Sequence, residues 1–279
     1  MRLAAQEKDV SEVFAANRAV GSVAFETVLS AGKTRRGKVH EAGSLRVRFP
    51  SPETSALAAV LVNTAGGVAG GDRFSVSIDA GEDTALTLTT AAAEKIYRSH
   101  GPAAAIDVSL RIAGGAHLAW LPQETILFDH AKLNRRIDIE LDENASLLLA
   151  EIVVFGRAAM NEAMRQGEYV DRWRLKRAGK LVFAETLRLA GDIAAKLASP
   201  AIARGGTAVA TVLIAPGDQD TTERIRAAAA SFAGEVGVSA WNGFAVARFC
   251  AKDAAVLRSD VMKVLAQIDA KALPRLWLN

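Results

Sequence analysis

Three carboxylates stand in apolar surroundings, where an acidic side chain is unexpected. Asp72 follows a glycine-rich stretch at the start of an alternating pattern, Glu151 interrupts the apolar run 146–155, and Glu185 lies in the run 182–189. A buried carboxylate is unfavourable unless it is paired or lines a wet cavity. Paired carboxylates can carry out acid/base hydrolysis, and carboxylate oxygens can also hold a divalent cation weakly enough to release it.

A purely structural interpretation competes with this chemistry. Each carboxylate could form an ion pair with a nearby arginine, as Arg188 beside Glu185 suggests. Buried ion pairs shift pKa values in the same way as functional sites do. The separation of the three carboxylates in space does not follow from the sequence, so both interpretations stay open at this point.

A glycine-rich stretch precedes Asp72 and predicts a shaped turn. Two glycine pairs, at residues 66–67 and 70–71, permit positive φ angles or a close approach of another backbone. Phosphate-binding loops require a helix after the glycines, whereas here Phe74, Val76 and Ile78 alternate with polar residues as in a strand. The stretch therefore predicts a turn that places Asp72 at the entry to a strand, and it argues against nucleotide binding.

Other catalytic and metal-binding signatures are missing from the sequence. It has no Gly-x-Ser-x-Gly, His-Glu-x-x-His or Cys-x-x-Cys motif, and His40, His100, His117 and His130 are not spaced like metal ligands. Cys250 is the only cysteine, which rules out an intramolecular disulfide and fits a reducing compartment. The sequence therefore predicts no stable metal site and no cofactor of its own.

The elements that must position these carboxylates are mostly strands. Period-two alternation predicts strands at residues 23–29, 45–49, 74–78, 86–89, 106–112 and 137–141, with a buried strand at 57–62 and another at 243–249. Helices are predicted at residues 221–232 and 254–268, the second with Asp253 as its N-cap, and a short one at 157–166 that ends at Gly167. The predicted class is mainly β with two C-terminal α-helices.

Composition and charge restrict the remaining options. The 279 residues contain no linker-like segment, so we predict a single domain over residues 1–279, with residues 1–20 as a poorly ordered N-terminal tail. With 34 basic and 31 acidic residues, basic side chains occur only in short pieces, which argues against nucleic-acid binding. The start lacks a signal-peptide core and no apolar run could span a membrane, so a cytoplasmic protein without membrane contact is expected.

Six short motifs carry a family resemblance. In chain order they are GGVAGGDRF, EKIYRS, WLPQETILFD, EIVVFGR, AETLRL and LPRLW. In order and spacing they resemble the UreD family of urease accessory proteins, also called UreH, from about residue 22 to the C-terminus. The motif residues singled out by this resemblance are Gly66, Gly67, Gly70, Gly71, Lys95, Tyr97, Arg98, Gln123, Glu124 and Arg157.

The resemblance implies both a fold and a role. The family fold is a β-helix-like stack of sheets with a small helical part and an internal, water-filled tunnel lined by carboxylates, which would make Asp72, Glu151 and Glu185 transit residues for nickel. The implied role is that of a non-catalytic chaperone subunit, which binds apo-urease together with UreF and the GTPase UreG so that nickel enters the urease active site. Nickel would then be only in transit.

The sequence departs from the family pattern at some positions. Thr64-Ala65 and Ala92-Ala93 stand where the family often has two prolines and a Pro-Gly, and Ala150 stands where an aromatic residue often precedes the carboxylate. These differences affect the turns but keep the charged positions. Two alternatives from other classes are a carboxylate-dependent hydrolase that acts alone and a basic RNA-binding β domain.

Overall fold

The computed structural model describes residues 18–51, 56–269 and 273–278. Within these ranges the strands are β1 (Val20–Ser30), β2 (Lys33–Gly43), β3 (Leu45–Arg48), β4 (Leu57–Asn63), β5 (Arg73–Ala80), β6 (Ala85–Thr90), β7 (Glu94–Ile96), β8 (Ala104–Ile112), β9 (His117–Trp120), β10 (Thr125–Leu127), β11 (Lys132–Leu141), β12 (Ser146–Arg157), β13 (Glu162–Ala163), β14 (Gln166–Arg177), β15 (Lys180–Asp192), β16 (Ala208–Ala215), β17 (Glu235–Trp241) and β18 (Phe244–Ala251). The α-helices are α1 (Ile193–Ala198), α2 (Gln219–Ala227) and α3 (Ala254–Ile268).

Two large sheets face each other. The first has the order β15-β14-β11-β8-β5-β1-β2, and the main path of the second is β17-β18-β16-β12-β9-β6-β4-β3. The central strands of both sheets are parallel, and the chain alternates between the sheets, so that each coil gives one strand to each. Antiparallel strands lie at both ends of each stack. This architecture confirms the predicted mainly β, β-helix-like stack of sheets.

Strand β12 lies at the centre of the packing. Leu147, Leu149, Val153 and Phe155 point into the core between the two sheets. The alternate side chains of the same strand form a second core with helices α2 and α3. Because both faces of β12 are covered, the strand is continuously apolar instead of alternating. Burial of both faces of β12 therefore explains the apolar run around Glu151.

The two predicted C-terminal helices are present. Helix α3 spans Ala254–Ile268 as predicted, and the Asp253 carboxylate accepts hydrogen bonds from the backbone N–H groups of Ala255 and Val256 at 2.7 and 2.9 Å. The helix predicted at residues 221–232 is shorter: α2 ends at Ala227, and only a 3₁₀ turn follows at Ala229–Ser231. The one-and-a-half-turn helix α1 was not predicted.

The short helix predicted for residues 157–166 is wrong. The chain makes a 3₁₀ turn at Ala158–Met160 and returns as β13, which pairs with the end of β12. Asn161 adopts a left-handed conformation with φ 52°, which reverses the chain direction. An ion pair from Arg157 Nε to Glu162 Oε2 at 2.6 Å closes this hairpin. The pairing within this short hairpin therefore overrides the helical preference of the segment.

Most of the predicted N-terminal tail, residues 1–17, lies outside the described residues. Strand β1 begins at Val20, which lies opposite Arg73 in the parallel register with β5. In the described part of the chain, no helix has the length and apolar character needed to cross a membrane.

Candidate functional site

A buried polar cluster lies between the two sheets. We call Trp120, Arg135, Glu151, Tyr169 and Asp171 the Arg135 cluster. The Arg135 guanidinium donates to the Glu151 carboxylate through Nη1, and it donates to Asp171 from Nε at 3.0 Å and from Nη2 at 2.6 Å. The Tyr169 hydroxyl accepts from Arg135 at 3.0 Å and donates to Asp171 at 2.8 Å, and Trp120 Nε1 donates to Glu151 at 2.8 Å. The cluster is thus one connected network.

Strand phase and register bring the cluster together. Arg135 lies on the inward face of β11, in phase with Leu133 and Ile137. In the parallel register between β11 and β14, it lies directly opposite Asp171. Glu151 comes from β12 in the facing sheet. The guanidinium therefore joins the two sheets across the interior of the stack.

The electrostatics of the cluster are set by burial and by its charge imbalance. The exposed fractions of Arg135, Glu151 and Asp171 are only 4%, 4% and 6%. Burial raises the pKa of Glu151, an effect that Arg135 and Trp120 partly offset. Burial would lower the pKa of Arg135, but Asp171 and Glu151 raise it well above its usual value, so the guanidinium stays charged. With both carboxylates ionised, one positive charge faces two negative charges.

Two cavities meet the cluster from different sides. The first, which we call the motif cavity, has a volume of about 340 Å³ and reaches from Gly66 and Lys95 at the glycine turn to Arg135 and Glu151. The second, which we call the edge groove, has a volume of about 470 Å³. Its lining includes Asp171, Glu185, Leu187, Val209 and Arg248. Because Arg135 of the motif cavity binds Asp171 of the edge groove, the cluster connects the linings of the two cavities.

Glu185 lies on the edge groove and is paired. Its carboxylate accepts two hydrogen bonds from Arg248, at 2.6 and 2.9 Å, in a bidentate arrangement. The exposed fractions of the two side chains are 28% for Glu185 and 50% for Arg248. The partner is thus Arg248 on β18 and not the neighbouring Arg188, and solvent reaches the pair.

Asp72 has a different environment. It is buried, and its carboxylate oxygens accept hydrogen bonds from the backbone N–H groups of Ala19 at 2.8 Å and Ala69 at 2.7 Å. It is not part of the lining of either cavity. The structure therefore places Glu151 and Glu185 along the two cavities but leaves Asp72 as the residue that closes the glycine turn.

The motif glycines fit closely against side chains of the second motif. The Tyr97 hydroxyl donates to the Gly66 carbonyl at 2.8 Å, and a Cβ on Gly67 would come within 2.5 Å of the Tyr97 ring. A Cβ on Gly70 would lie 1.9 Å from the Ser99 hydroxyl oxygen. These close approaches explain why glycine is needed at both positions.

The remaining residues of these two motifs are at the surface or in the same turn. Gly71 adopts φ +86° in the glycine turn. Lys95 is exposed, lines the motif cavity, and accepts a backbone hydrogen bond from Val68 at 2.8 Å. Arg98 is exposed and forms an isolated backbone bridge with Ala131.

Gln123 and Glu124 are linked by hydrogen bonds to the C-terminal part of the chain. Gln123 Nε2 donates to the Leu276 carbonyl at 2.7 Å, and Arg258 Nη1 donates to Gln123 Oε1 at 2.9 Å and Glu124 Oε1 at 2.5 Å. The Arg258 guanidinium also lies over the Trp277 ring, 4.8 Å from its centroid. The third and the last sequence motifs are thus joined by one arginine of α3.

Arg157 has a local role at the end of β12. Its guanidinium pairs with Glu162 and lies 4.0 Å from the centroid of the Phe128 ring. It therefore stabilises the hairpin between β12 and β13.

A further carboxylate, Glu94 of the EKIYRS motif, lies on the wall of the motif cavity, although sequence analysis gave it no role in the site. Asn63 Nδ2 donates to its two oxygens at 3.1 and 3.2 Å, and burial raises the pKa of Glu94. Sequence analysis also missed Arg135 and Asp171. Their strand phase is a signal that could have found them, because both lie in register with inward apolar residues of their strands.

Among the described residues, no group of three or more His, Cys, Asp or Glu side chains lies close enough together to hold a metal ion. The two cavities are lined by a few carboxylates, of which Glu151 and Asp171 meet at Arg135.

Comparison with known proteins shows that the chain is similar to urease accessory proteins. The family model described as UreD urease accessory protein matches residues 18–278. "Urease accessory protein UreD" of Bradyrhizobium diazoefficiens is 67% identical over 269 residues, which cover 96% of this chain and 97% of that protein. The protein of the same name from Rhodopseudomonas palustris is 65% identical over 269 residues, 96% of each chain.

Proposed function

The chain belongs to the UreD family of urease accessory proteins, and we propose that it helps to mature urease by conducting nickel through its interior. In this proposal it is a non-catalytic cytoplasmic chaperone subunit that acts with UreF and the GTPase UreG on apo-urease. The role in urease maturation follows from the family, and the partners follow from the sequence resemblance. Nickel is cargo in this account and not a resident cofactor.

The observation that carries the proposal is the meeting of two cavities at one buried cluster. A cation that enters at the glycine turn would pass Glu94 and Glu151 in the motif cavity. It would then pass Asp171 and Glu185 in the edge groove. In this proposal these carboxylates form one path through the two cavities and past the Arg135 cluster.

The chemistry of the lining suits a cation in transit. Carboxylate oxygens attract a divalent ion, whereas a complete set of thiolate and imidazole ligands would retain nickel. Carboxylates that occur singly or in a pair along a path bind a divalent ion weakly at each point and permit release. We therefore propose Glu94, Glu151, Asp171 and Glu185 as transit residues, with Asp72 fixing the turn at the mouth of the motif cavity.

A bulky side chain in the edge groove should test this route without changing any charge. We expect Val209→Trp and, separately, Leu187→Trp to reduce the nickel content of urease after activation with purified components, because both residues line the groove. The matched control is Val28→Trp, since Val28 is 41% exposed and lies in neither cavity lining. If both groove variants assemble with the partners and load nickel as the wild type does, the route does not run through this groove.

The proposed partners need a separate test. A pull-down from a urease-positive lysate should recover UreF, UreG and urease with the chain, and the purified chain alone should show no hydrolytic turnover. Expressed without UreF, the chain should aggregate, because a subunit that docks on partners exposes apolar surface. A monodisperse chain that turns over a substrate alone would support the hydrolase alternative instead.

A further inference from the structure

Arg135 stands where the two cavities meet. Arg135 and Glu151 belong to the lining of the motif cavity, whereas Asp171 belongs to the lining of the edge groove. The guanidinium bonds to both carboxylates at once. A cation that moved between the cavities would therefore encounter a positive charge already bound to both of its next ligands.

We propose that Arg135 is the gate of this route: its guanidinium occupies the place of the travelling cation and must leave it before nickel can cross. This inference rests on the proposed function. The motif cavity, which Arg135 lines, gives the side chain room to withdraw. The gate then closes again when the guanidinium returns to Glu151 and Asp171.

The charge balance of the cluster indicates which cation can replace the guanidinium. Arg135 supplies one positive charge to two carboxylates, which leaves one negative charge in excess. A divalent ion in its place neutralises both carboxylates, whereas a monovalent ion does not. Because uncompensated charge is unfavourable in a buried site, the exchange favours a divalent ion.

Removal of the guanidinium charge should therefore create a cation site. We expect full-length Arg135→Met to bind about one more Ni²⁺ per chain than the wild type in equilibrium dialysis with Ni²⁺ alone. Methionine keeps a flexible, unbranched side chain, although a shorter one, without the charge. Arg135→Lys is the matched control, because it retains a positive charge and should show no added nickel.

The added nickel must depend on the two carboxylates. In Arg135→Met combined with Glu151→Gln and Asp171→Asn, the gain should disappear. Retention of the gain in this triple variant would place the nickel elsewhere and overturn the gate. A lack of added nickel in folded Arg135→Met would overturn it as well.

The same test remains informative if Arg135→Met folds poorly. A ligand that binds only the folded state raises the unfolding temperature. Nickel should then raise the thermal midpoint of Arg135→Met, or the yield of folded chain after refolding, more than it does for Arg135→Lys. The absence of any difference would count against the gate.

The experiments distinguish a failure of the gate hypothesis from a failure of the proposed nickel route. If the groove-filling variants block nickel delivery but Arg135→Met gains no nickel, the route stands and the gate is wrong. If Arg135→Met gains nickel but groove-filling variants deliver nickel normally, the cluster can hold a cation but the transit function fails.

Discussion

The arginine–carboxylate assemblies at Arg135 and at Arg248 use the same groups in opposite environments. Arg135 joins Glu151 and Asp171 inside the stack, where all three are nearly inaccessible. Arg248 holds Glu185 at the edge groove, where half of the arginine side chain is exposed. Exposed pairs contribute little because water screens them, whereas loss of one buried partner leaves an uncompensated charge. Burial, and not the pairing itself, therefore distinguishes a switchable interior cluster from a surface contact.

The largest effect on stability should come from Arg135. Arg135→Met leaves two carboxylates without a buried counter-ion, and we expect its free energy of unfolding to fall by about 3–5 kcal/mol. Arg248→Met should lower it by about 1 kcal/mol or less. Urea denaturation of both variants, without added metal, measures the difference. Equal losses would show that burial does not separate the two assemblies.

Asp72 provides an intermediate case, a buried carboxylate that bonds to backbone instead of arginine. Asp72→Asn offers one acceptor oxygen where two backbone N–H groups now donate, at Ala19 and Ala69. One buried donor loses its partner, which costs about 1–3 kcal/mol. Urea denaturation of Asp72→Asn measures this loss of stability. A neutral Asp72→Asn variant would mean that the glycine turn does not depend on this carboxylate.

The pH dependence of stability should report on the burial of Glu151. Because the pKa of Glu151 is raised in the folded state, the folded chain retains this proton to a higher pH than the unfolded chain. The contribution of Glu151 to stability is present below the ordinary glutamate pKa and is lost as the pH rises through the folded pKa. The loss amounts to about 1.4 kcal/mol for each pH unit that separates the folded pKa from the unfolded one.

Glu151→Gln removes this titration, so its stability should fall less than that of the wild type as the pH rises through that window. Unfolding midpoints of this variant and of the wild type across the acidic range measure the difference. A Glu151→Gln slope identical to that of the wild type would contradict the raised pKa.

The smallest effect should come from the surface pair. Glu185→Gln should change the free energy of unfolding by at most about 1 kcal/mol, and the change should diminish at high salt. Denaturation at low and high ionic strength measures it. A larger, salt-independent loss would mean that the pair is effectively buried.

Local patterns predicted the elements better than the site. The apolar period and the Asp253 cap were sufficient for α3, and the period-two alternation was sufficient for the central strands. The helix prediction for residues 157–166 failed because the chain turns back at Asn161 and pairs with the end of β12 in a short hairpin. Both faces of β12 are buried, so the strand is apolar throughout and the charged Glu151 stands out in its sequence.

The composition of the site depends on long-range register. Glu151 and Glu185 looked alike in sequence, and only the structure shows that the first meets Arg135 across the sheets and the second meets Arg248 at an edge. Arg135 and Asp171 lie opposite each other because β11 and β14 are parallel neighbours, 36 residues apart at these positions. No motif spacing encodes that neighbourhood, although the phase of each strand marks both residues as inward-facing.

The most direct test of the account is nickel delivery by a variant whose interior carboxylates are neutral. Glu151→Gln with Asp171→Asn should assemble with UreF and UreG, as checked by gel filtration, but the nickel content per urease active site should fall severalfold after activation with purified components. The control, Asp107→Asn with Glu140→Gln, makes the same chemical changes at exposed positions and should load nickel normally. An assembled interior variant that loads nickel at the rate and extent of the wild type would contradict the transit role of the Arg135 cluster.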